Sequence, residues 1–202
     1  YLYKNYFCNT SLSVIGTIAQ YLPMALMIPF VPKLVKKHGK KELSGLGAFF
    51  SAAAAIACFV IKPSRDDAAL FMILLFIIGF GYSFVSITNW AVVADVIDYQ
   101  EHKTGIKNES AVYAVYTFCR KLGQTAADYG GLMLLGKVGY DVDVMANAGY
   151  VEGVSEGILT VCTLIPAVTY TLIFLLYKFA YPLTKEKLEP IYEHVRTSRS
   201  AK

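Results

Sequence analysis

The sequence has 202 residues, of which 55% are hydrophobic and only 17% are charged, and its formal net charge is +4. With a mean hydropathy of +0.46 it is too apolar for an ordinary soluble domain and is typical of a membrane protein. Its lysines and arginines fall in blocks between apolar runs and not on one basic face, which argues against nucleic-acid binding.

The first eight residues are rich in aromatic side chains and precede the first complete apolar segment. They have neither the basic region nor the cleavage site of a signal peptide. We expect them to be the end of an incoming helix, and the sequence to be a fragment of a longer protein.

Five apolar segments are long enough to cross a bilayer, which takes about 20 helical residues for roughly 30 Å of hydrocarbon. Three prolines interrupt the first segment, the second is rich in the small residues that allow close helix packing, and Pro166 predicts a kink in the fifth. We therefore predict an all-α, polytopic transmembrane fold. The segments are Leu12–Val35, Leu43–Ile61, Ala68–Ala94, Ala111–Leu135 and Gly157–Phe179.

Most lysines and arginines between the spans fall on one side, in the loop Lys33–Lys41, in the connection after Ala94 and in the C-terminal tail. The positive-inside rule places that side in the cytoplasm. We predict a transmembrane domain over residues 1–181 and a polar cytoplasmic tail over 182–202, with a short surface helix followed by disorder. The acidic outer connection Gly136–Glu156 is expected to be a solvated loop.

The stretch Trp90–Gln124 carries most of the polar chemistry. Asp95 and Asp98 share one helix face, which Glu101 and His102 continue. These groups predict a charge network at the membrane surface, paired with Lys103, Lys107 or basic residues of neighbouring loops. The same network would suit a latch that opens during transport; a metal site is a weaker interpretation.

Lys121 lies about ten residues, or roughly 15 Å, into the fourth span. An ionisable group at that depth is costly unless it faces a polar cavity or a carboxylate, so it is a candidate functional residue. Donors and acceptors beside an aromatic ring suit a sugar, although a purely structural ion pair would also explain a buried lysine. The polar residues expected on its face are Tyr113, Thr117, Gln124 and Asp128.

Three further residues border this stripe. Asn89 and Trp90 lie one to two turns from Asp95 on the third span, where Trp90 would either stack on a sugar or be an interfacial aromatic. Arg120 points about 100° away from Lys121 and is assigned to a structural or gating pair. Asp128 would either pair with Lys121 or lie in solvent near the outer mouth.

Four stretches of the sequence form one pattern in order. Two are W-A-x-x-A-D-x-x-D-Y-x-E-x-K-T-G at Trp90–Gly105 and N-E-S-x-V-Y-x-x-x-T-F-x-R-K-L-G-Q at Asn108–Gln124, and Gly139–Tyr140 and Tyr181–Thr184 complete it. The pattern resembles the glycoside–pentoside–hexuronide:cation symporters, the melibiose-carrier type of the major facilitator superfamily. The loop Lys33–Lys41 also resembles a cytoplasmic turn of that family.

The resemblance implies a C-terminal six-helix half, with five complete spans and the end of a sixth, whose N-terminal half is absent. It places Lys121 near the sugar and cation sites, and Tyr116 and Thr117 in the sugar cavity. The sugar-stacking tryptophan of the melibiose carrier aligns with Ser86, so Trp90 follows the commoner pattern of the family. Asp128 departs from the usual small residue.

The sequence and the resemblance together predict symport of a glycoside, pentoside or hexuronide with Na⁺, H⁺ or Li⁺ across the inner membrane, without a further cofactor. A transporter-like sensor or scaffold that binds without transport is the alternative, as is a lipid or drug carrier on the same scaffold. Enzymatic motifs such as HExxH or GxSxG are absent from the sequence, so an enzyme is not expected.

Overall fold

The computed structural model describes residues 1–148 and 150–200, and within them the chain forms helices and no strand. The first five helices are α1 Leu2–Asn5, α2 Ser11–Met27, α3 Val31–His38, α4 Lys40–Ile61 and α5 Ala68–Thr104. The others are α6 Glu109–Lys137, α7 Val142–Ala148, α8 Val154–Leu175 with a π-helical extension Leu176–Ala180, and α9 Lys185–Ser200.

The first predicted span is two helices. α2 and α3 meet at an angle of 61° across a short break that contains Pro29. Pro32 follows in the first turn of α3, where a proline is tolerated because its missing N–H has no partner there. Pro23 lies inside α2 without ending it. Pro29 and Pro32 therefore mark the break between the two helices, and α3 turns away from the direction of α2.

Among the described residues, three helices are long and apolar enough to cross a membrane, namely α4, α5 and α8 with its extension. The bent pair α2–α3 makes a fourth if it is one span. α6 has 29 residues and ample length, but Arg120, Lys121 and Asp128 make it more polar than these helices. Each of the five predicted segments is therefore helical, and four of them, with α2–α3 counted as one, meet the criterion of length and apolar composition in the described part of the chain.

Small residues allow α2, α4, α5 and α8 to pack into one body. A Cβ atom added to Gly81 would lie 2.5 Å from the carbonyl oxygen of Gly47, so α4 and α5 touch backbone to backbone. One added to Gly79 would lie 2.1 Å from the carbonyl oxygen of Gln20 in α2. Ser51 also donates a hydrogen bond of 2.9 Å to the carbonyl of Ile78. The predicted close approach along the second span is confirmed.

The end of the molecule opposite the lysine-rich loop is closed by an apolar cluster that includes residues from α1, α5 and α7. Phe7 packs on Phe71 with ring centroids 5.3 Å apart, and Tyr6 donates a hydrogen bond to the carbonyl of Pro63. Met145 of α7 is 1% exposed within this cluster. The expectation of a solvated loop over Gly136–Glu156 is therefore wrong for this part, because one side chain of α7 is apolar enough to join the core.

The C-terminal tail forms a helix that packs against α5. Leu188, Ile191 and Val195 recur at the i, i+3, i+7 spacing of one helix face, and all three are buried. Pro190 lies inside α9 and does not end it. The predicted short helix is thus a docked one over Lys185–Ser200; the predicted disorder of residues 201–202 lies outside the described residues.

Candidate functional site

Three residues of the predicted site meet where α5 faces α6. The amide nitrogen of Asn89 donates a hydrogen bond of 2.5 Å to the hydroxyl of Tyr116. The indole ring of Trp90 meets the Tyr116 ring edge to face, with centroids 5.5 Å apart. This contact joins two helices through one polar and one aromatic interaction.

Arg120 lies one turn after Tyr116 on α6. Its guanidinium carbon is 5.9 Å from the Trp90 ring centroid, within the range of a cation–π contact. The sequence assigns Arg120 to a structural or gating pair, and in the structure its guanidinium group contacts Trp90. The positive charge therefore lies beside the aromatic pair.

The remaining predicted binding residues lie on exposed parts of α6. Leu135 is the one residue of this helix that is buried. Lys121 and Asp128 are both exposed, and the structure of residues 1–148 and 150–200 contains no ion pair between them. The exposed binding candidates of α6 are Tyr113, Thr117, Lys121 and Gln124.

Two cavities adjoin Asn89. One, of about 450 Å³, lies between α5 and the end of α8 and includes Tyr177 and Tyr181 in its walls. The other, of about 490 Å³, lies between α5 and α6 and includes Tyr116. Both are in the size range of small-molecule sites. Asn89 therefore borders both cavities.

Asp95 forms a buried charge cluster at the end of α5 nearer the lysine-rich loop. The residue is 1% exposed, and its Oδ1 atom accepts a hydrogen bond of 2.5 Å from the ammonium of Lys40. The same oxygen accepts a hydrogen bond from the hydroxyl of Tyr192 in α9. Lys40 also donates to the carbonyl of Ala91 at 3.2 Å. A buried carboxylate needs such partners, since an unpaired charge in the interior is costly.

The electrostatic effect of Asp95 extends to two tyrosines outside the spans. Burial, the hydrogen bond to Asp95 and the carboxylate charges of Asp95 and Asp98 together raise the pKa of Tyr192 well above its usual range. Burial and then the charge of Asp95 raise the pKa of Tyr181. Both phenols are therefore held in the protonated form, which can donate a hydrogen bond.

The other members of the predicted network lie further along α5. Asp98 and Glu101 are half-buried on the same helix. Lys103 lies over the ring of Tyr99, 5.0 Å from its centroid. Lys107, the other predicted cation, forms an ion pair with Glu109. The ion pair of Asp95 is with Lys40, a basic residue of the lysine-rich loop Lys33–Lys41.

Sequence reasoning did not single out Lys40 or Tyr192. Lys40 was counted only as one of several cytoplasmic lysines, and Tyr192 fell in a tail expected to lie on the surface. The apolar stripe around Tyr192 was the signal that would have predicted a docked helix. The contact between Tyr192 and Asp95 could not be predicted, because the two residues are 97 positions apart in the sequence.

Comparison with known proteins identifies the family. The sequence profile described as MFS/sugar transport protein matches residues 1–185. The chain belongs to this family. It is therefore a membrane-embedded, multi-pass protein of a transporter family and not an enzyme, and the predicted family and all-α fold are confirmed.

Curated members of the family supply further similarities. The chain is 35% identical over 162 residues to the uncharacterized symporter YjmB of Bacillus subtilis (strain 168), covering 80% of this chain and 34% of that protein. It is 30% identical over 179 residues to the glucuronide carrier protein homolog of Escherichia coli (strain K12), with coverage of 89% and 36%. A putative sulfoquinovose importer of Salmonella typhimurium (strain LT2) is 32% identical over 165 residues, with coverage of 82% and 33%. The chain thus spans about a third of the length of these relatives.

Proposed function

We propose that this chain is the C-terminal, substrate-binding half of a cation-coupled sugar symporter in the inner membrane, working by alternating access with an N-terminal half. The observation that supports this most directly is the Asn89–Tyr116 hydrogen bond beside Trp90, next to cavities of sugar size. Hydroxyl groups of a sugar need donors and acceptors, and its C–H face packs on aromatic rings. Membership in a sugar-transport family favours the same interpretation.

Within this proposal, Asn89 and Tyr116 hydrogen-bond the sugar and Trp90 packs on its apolar face. Lys121 and its neighbours on α6 complete the site from the other side. Lys121 is exposed on α6, where the missing half or the ligand would face it. Tyr113, Thr117 and Gln124 add hydrogen-bonding groups on the exposed surface of the same helix.

The substrate class we propose is a glycoside, pentoside or hexuronide. Arg120 beside Trp90 brings positive charge to the site, which favours a sugar carrying a carboxylate over a neutral one. A glucuronide carrier homolog and a putative sulfoquinovose importer are among the relatives, and both names denote anionic sugars. We therefore rank an anionic hexose derivative first.

The Asp95 cluster is proposed as the cytoplasmic gate. Lys40 at the start of α4 and Tyr192 of α9 both bind one oxygen of Asp95 on α5, so three elements are held together at this end. Asp98, Glu101 and Lys103 lie along the last three turns of α5 beside it. Opening of this end would break the cluster. An energy difference of a few kcal/mol between the closed and open arrangements suits a two-state switch.

Coupling to Na⁺, H⁺ or Li⁺ is proposed because symport requires the sugar and the cation each to favour the occluded state. Thermodynamically this is a reciprocal coupling free energy between two sites. The cation-binding carboxylates are assigned to the N-terminal half. The lysine-rich end, including α9, is placed in the cytoplasm by the positive-inside rule.

The test is uptake by vesicles that contain the full-length carrier. Radiolabelled glucuronides, sulfonated hexoses, galactosides and pentosides are offered with an inward Na⁺ or H⁺ gradient, and again with the gradient collapsed. Gradient-dependent accumulation of one class supports the proposal and identifies both substrates. Saturable binding without accumulation under every gradient would instead favour a sensor, and accumulation of apolar compounds alone would favour a lipid or drug carrier.

A further inference from the structure

A groove runs between α4 and the end of α8. It has a volume of about 390 Å³ and begins at Lys41, in the first turn of α4. Its inner wall is apolar, with the rings of Phe49 and Phe174 only 5.5 Å apart. Lys41 and Phe49 are eight residues apart, which places the apolar wall about 12 Å below the charged mouth.

The mouth of the groove carries two positive charges from different helices. Lys41 is on α4, and Lys178 is on the π-helical extension of α8. The ammonium of Lys178 is 5.4 Å from the ring centroid of Phe174 and 5.6 Å from that of Phe179. These contacts keep the charge at the rim, directly above the apolar wall.

The π-helix explains how Lys178 comes to line the groove. α8 changes from α-helix to π-helix at Leu176 and remains so to Ala180. A π-helical turn holds more residues than an α-helical one, so it rotates the side chains that follow, and such turns are frequent at functional sites. Gly45 of α4 faces this segment. A Cβ atom added to Gly45 would lie 3.7 Å from the Cβ atom of Tyr177.

One carboxylate belongs to the same rim, that of Glu42. Its Oε2 atom lies 2.5 Å from the place where a Cβ of Gly39 would stand, so the carboxylate is folded back over the start of α4. Gly39 precedes α4 and the stem of Lys185 lies on its other side. The negative charge is thus drawn toward the helix N-terminus, and the two ammonium groups dominate the mouth of the groove.

We propose that this groove binds an anionic phospholipid of the surrounding bilayer, with its phosphate between Lys41 and Lys178 and one acyl chain along Phe49 and Phe174. The occupant must be both anionic and apolar, because the mouth is cationic and the walls offer a sugar few hydrogen-bonding partners. Basic pockets between membrane helices on the cytoplasmic side suit such headgroups. The proposal depends on the chain lying in a membrane and not on transport.

The experiment is lipid titration of the purified full-length carrier in mild detergent, followed by native mass spectrometry. Phosphatidylglycerol and phosphatidylcholine with identical acyl chains are compared. We expect the wild type to retain phosphatidylglycerol preferentially. Lys41→Gln/Lys178→Gln should weaken its binding about thirty-fold, since each lysine near a membrane surface contributes about fivefold. Lys178→Gln alone should weaken it about fivefold.

Two matched variants make the result decisive. Lys33→Gln/Lys37→Gln removes the same charge from exposed positions of α3 outside the groove, and should leave binding unchanged. Lys41→Arg/Lys178→Arg keeps the charge and should retain binding, which separates lost binding from lost folding. Equal binding of both lipids by the wild type, or equal losses in the two glutamine double variants, would overturn the proposal. Displacement of the lipid by millimolar glycerol phosphate would also overturn it, because a free phosphate would then suffice.

Discussion

The hydroxyl of Tyr192 donates a hydrogen bond to Oδ1 of Asp95, which lies 97 residues earlier in the chain. This contact connects the last helix to the C-terminal part of the longest one. Asp95 is buried, and its hydrogen bonds go to Lys40 and Tyr192 of the same chain. Loss of either bond should therefore loosen this end of the molecule.

Tyr192→Phe is expected to loosen α9 without unfolding the spans. The variant loses one hydrogen bond to a charged group, which at this half-exposed position amounts to about 1 kcal/mol and a roughly fivefold increase in the opened population. Hydrogen exchange of the α9 amides measures it. Glu193→Gln, an exposed change in the same helix, is the control and should leave exchange as in the wild type.

The attachment of α9 should also respond to alkaline pH. The pKa of Tyr192 is raised in the folded state, so the protonated phenol is the form that docking stabilises. Its contribution is complete below the ordinary tyrosine pKa of about 10 and falls as pH rises above it. A spin-label distance between α5 and α9 should therefore be constant from about pH 6 to 9 and increase above pH 10. Tyr192→Phe should remove that alkaline transition, and an unchanged transition in this variant would contradict the assignment.

Lys40→Met is expected to destabilise the carrier more than the double variant Lys40→Met/Asp95→Asn. The single change leaves a buried carboxylate without its cation, a loss of about 2–3 kcal/mol, whereas the double change removes both charges. Thermal unfolding followed with a thiol-reactive dye reports the order once the exposed Cys8, Cys119 and Cys162 are replaced by serine, since Cys58 is buried in the folded protein. Equal midpoints for the two variants would mean that the ion pair has no role in stability.

Tyr116→Phe should weaken substrate binding about tenfold while the helices remain folded. It removes the oxygen that accepts from Asn89 and leaves the aromatic contact with Trp90 in place. Equilibrium binding of the sugar identified by the uptake assay is the measurement. Tyr129→Phe, at a 68% exposed position of the same helix, should bind as tightly as the wild type.

Lys121→Ala should abolish sugar accumulation and leave folded carrier in the membrane, because the side chain is exposed in the structure and its removal costs no packing. Lys137→Ala, at the end of α6, is the matched change and should transport normally. Gradient-driven uptake into vesicles measures both variants. Uptake at the wild-type rate by Lys121→Ala would remove Lys121 from the proposed site.

Gly79→Ala should be poorly tolerated, since its methyl group would collide with the backbone of Gln20 at 2.1 Å. Gly45→Ala meets its nearest atom at 3.7 Å and should fold normally, with a small gain from helix propensity. Expression yield and the thermal midpoint distinguish the two. A stable Gly79→Ala carrier would mean that α2 does not touch α5 at this point.

The sequence predicted the helices well because runs of apolar residues and the lysines between them are local signals. The resemblance at Trp90–Gln124 identified the family, and the small residues of the second segment indicated which helices touch. Periodicity did not reveal the break near Pro29, since proline is compatible with either a kink or a continuous helix.

The site was harder to predict because it depends on contacts between distant segments. Asn89 and Tyr116 were both candidates, but only the packing of α5 on α6 joins them. Tyr192 was missed because a polar helix containing a proline looks unstable until its three apolar residues are seen against α5. Arg120 was placed away from the site because it points about 100° from Lys121 on the helix. Its long side chain nevertheless reaches the ring of Trp90.

The glycine contacts between α4, α5 and α2 have a mechanical consequence. Where backbones touch without room for a methyl group, neighbouring helices cannot slide past each other without separating, so these three behave as one stiff block. Movement during a transport cycle would then be concentrated at the elements attached by side chains alone. In this chain those are α6, held to α5 at Asn89 and Trp90, and α9, held at Asp95. The stiff block is thus held by backbone contacts, and the elements that would move are held by side-chain contacts.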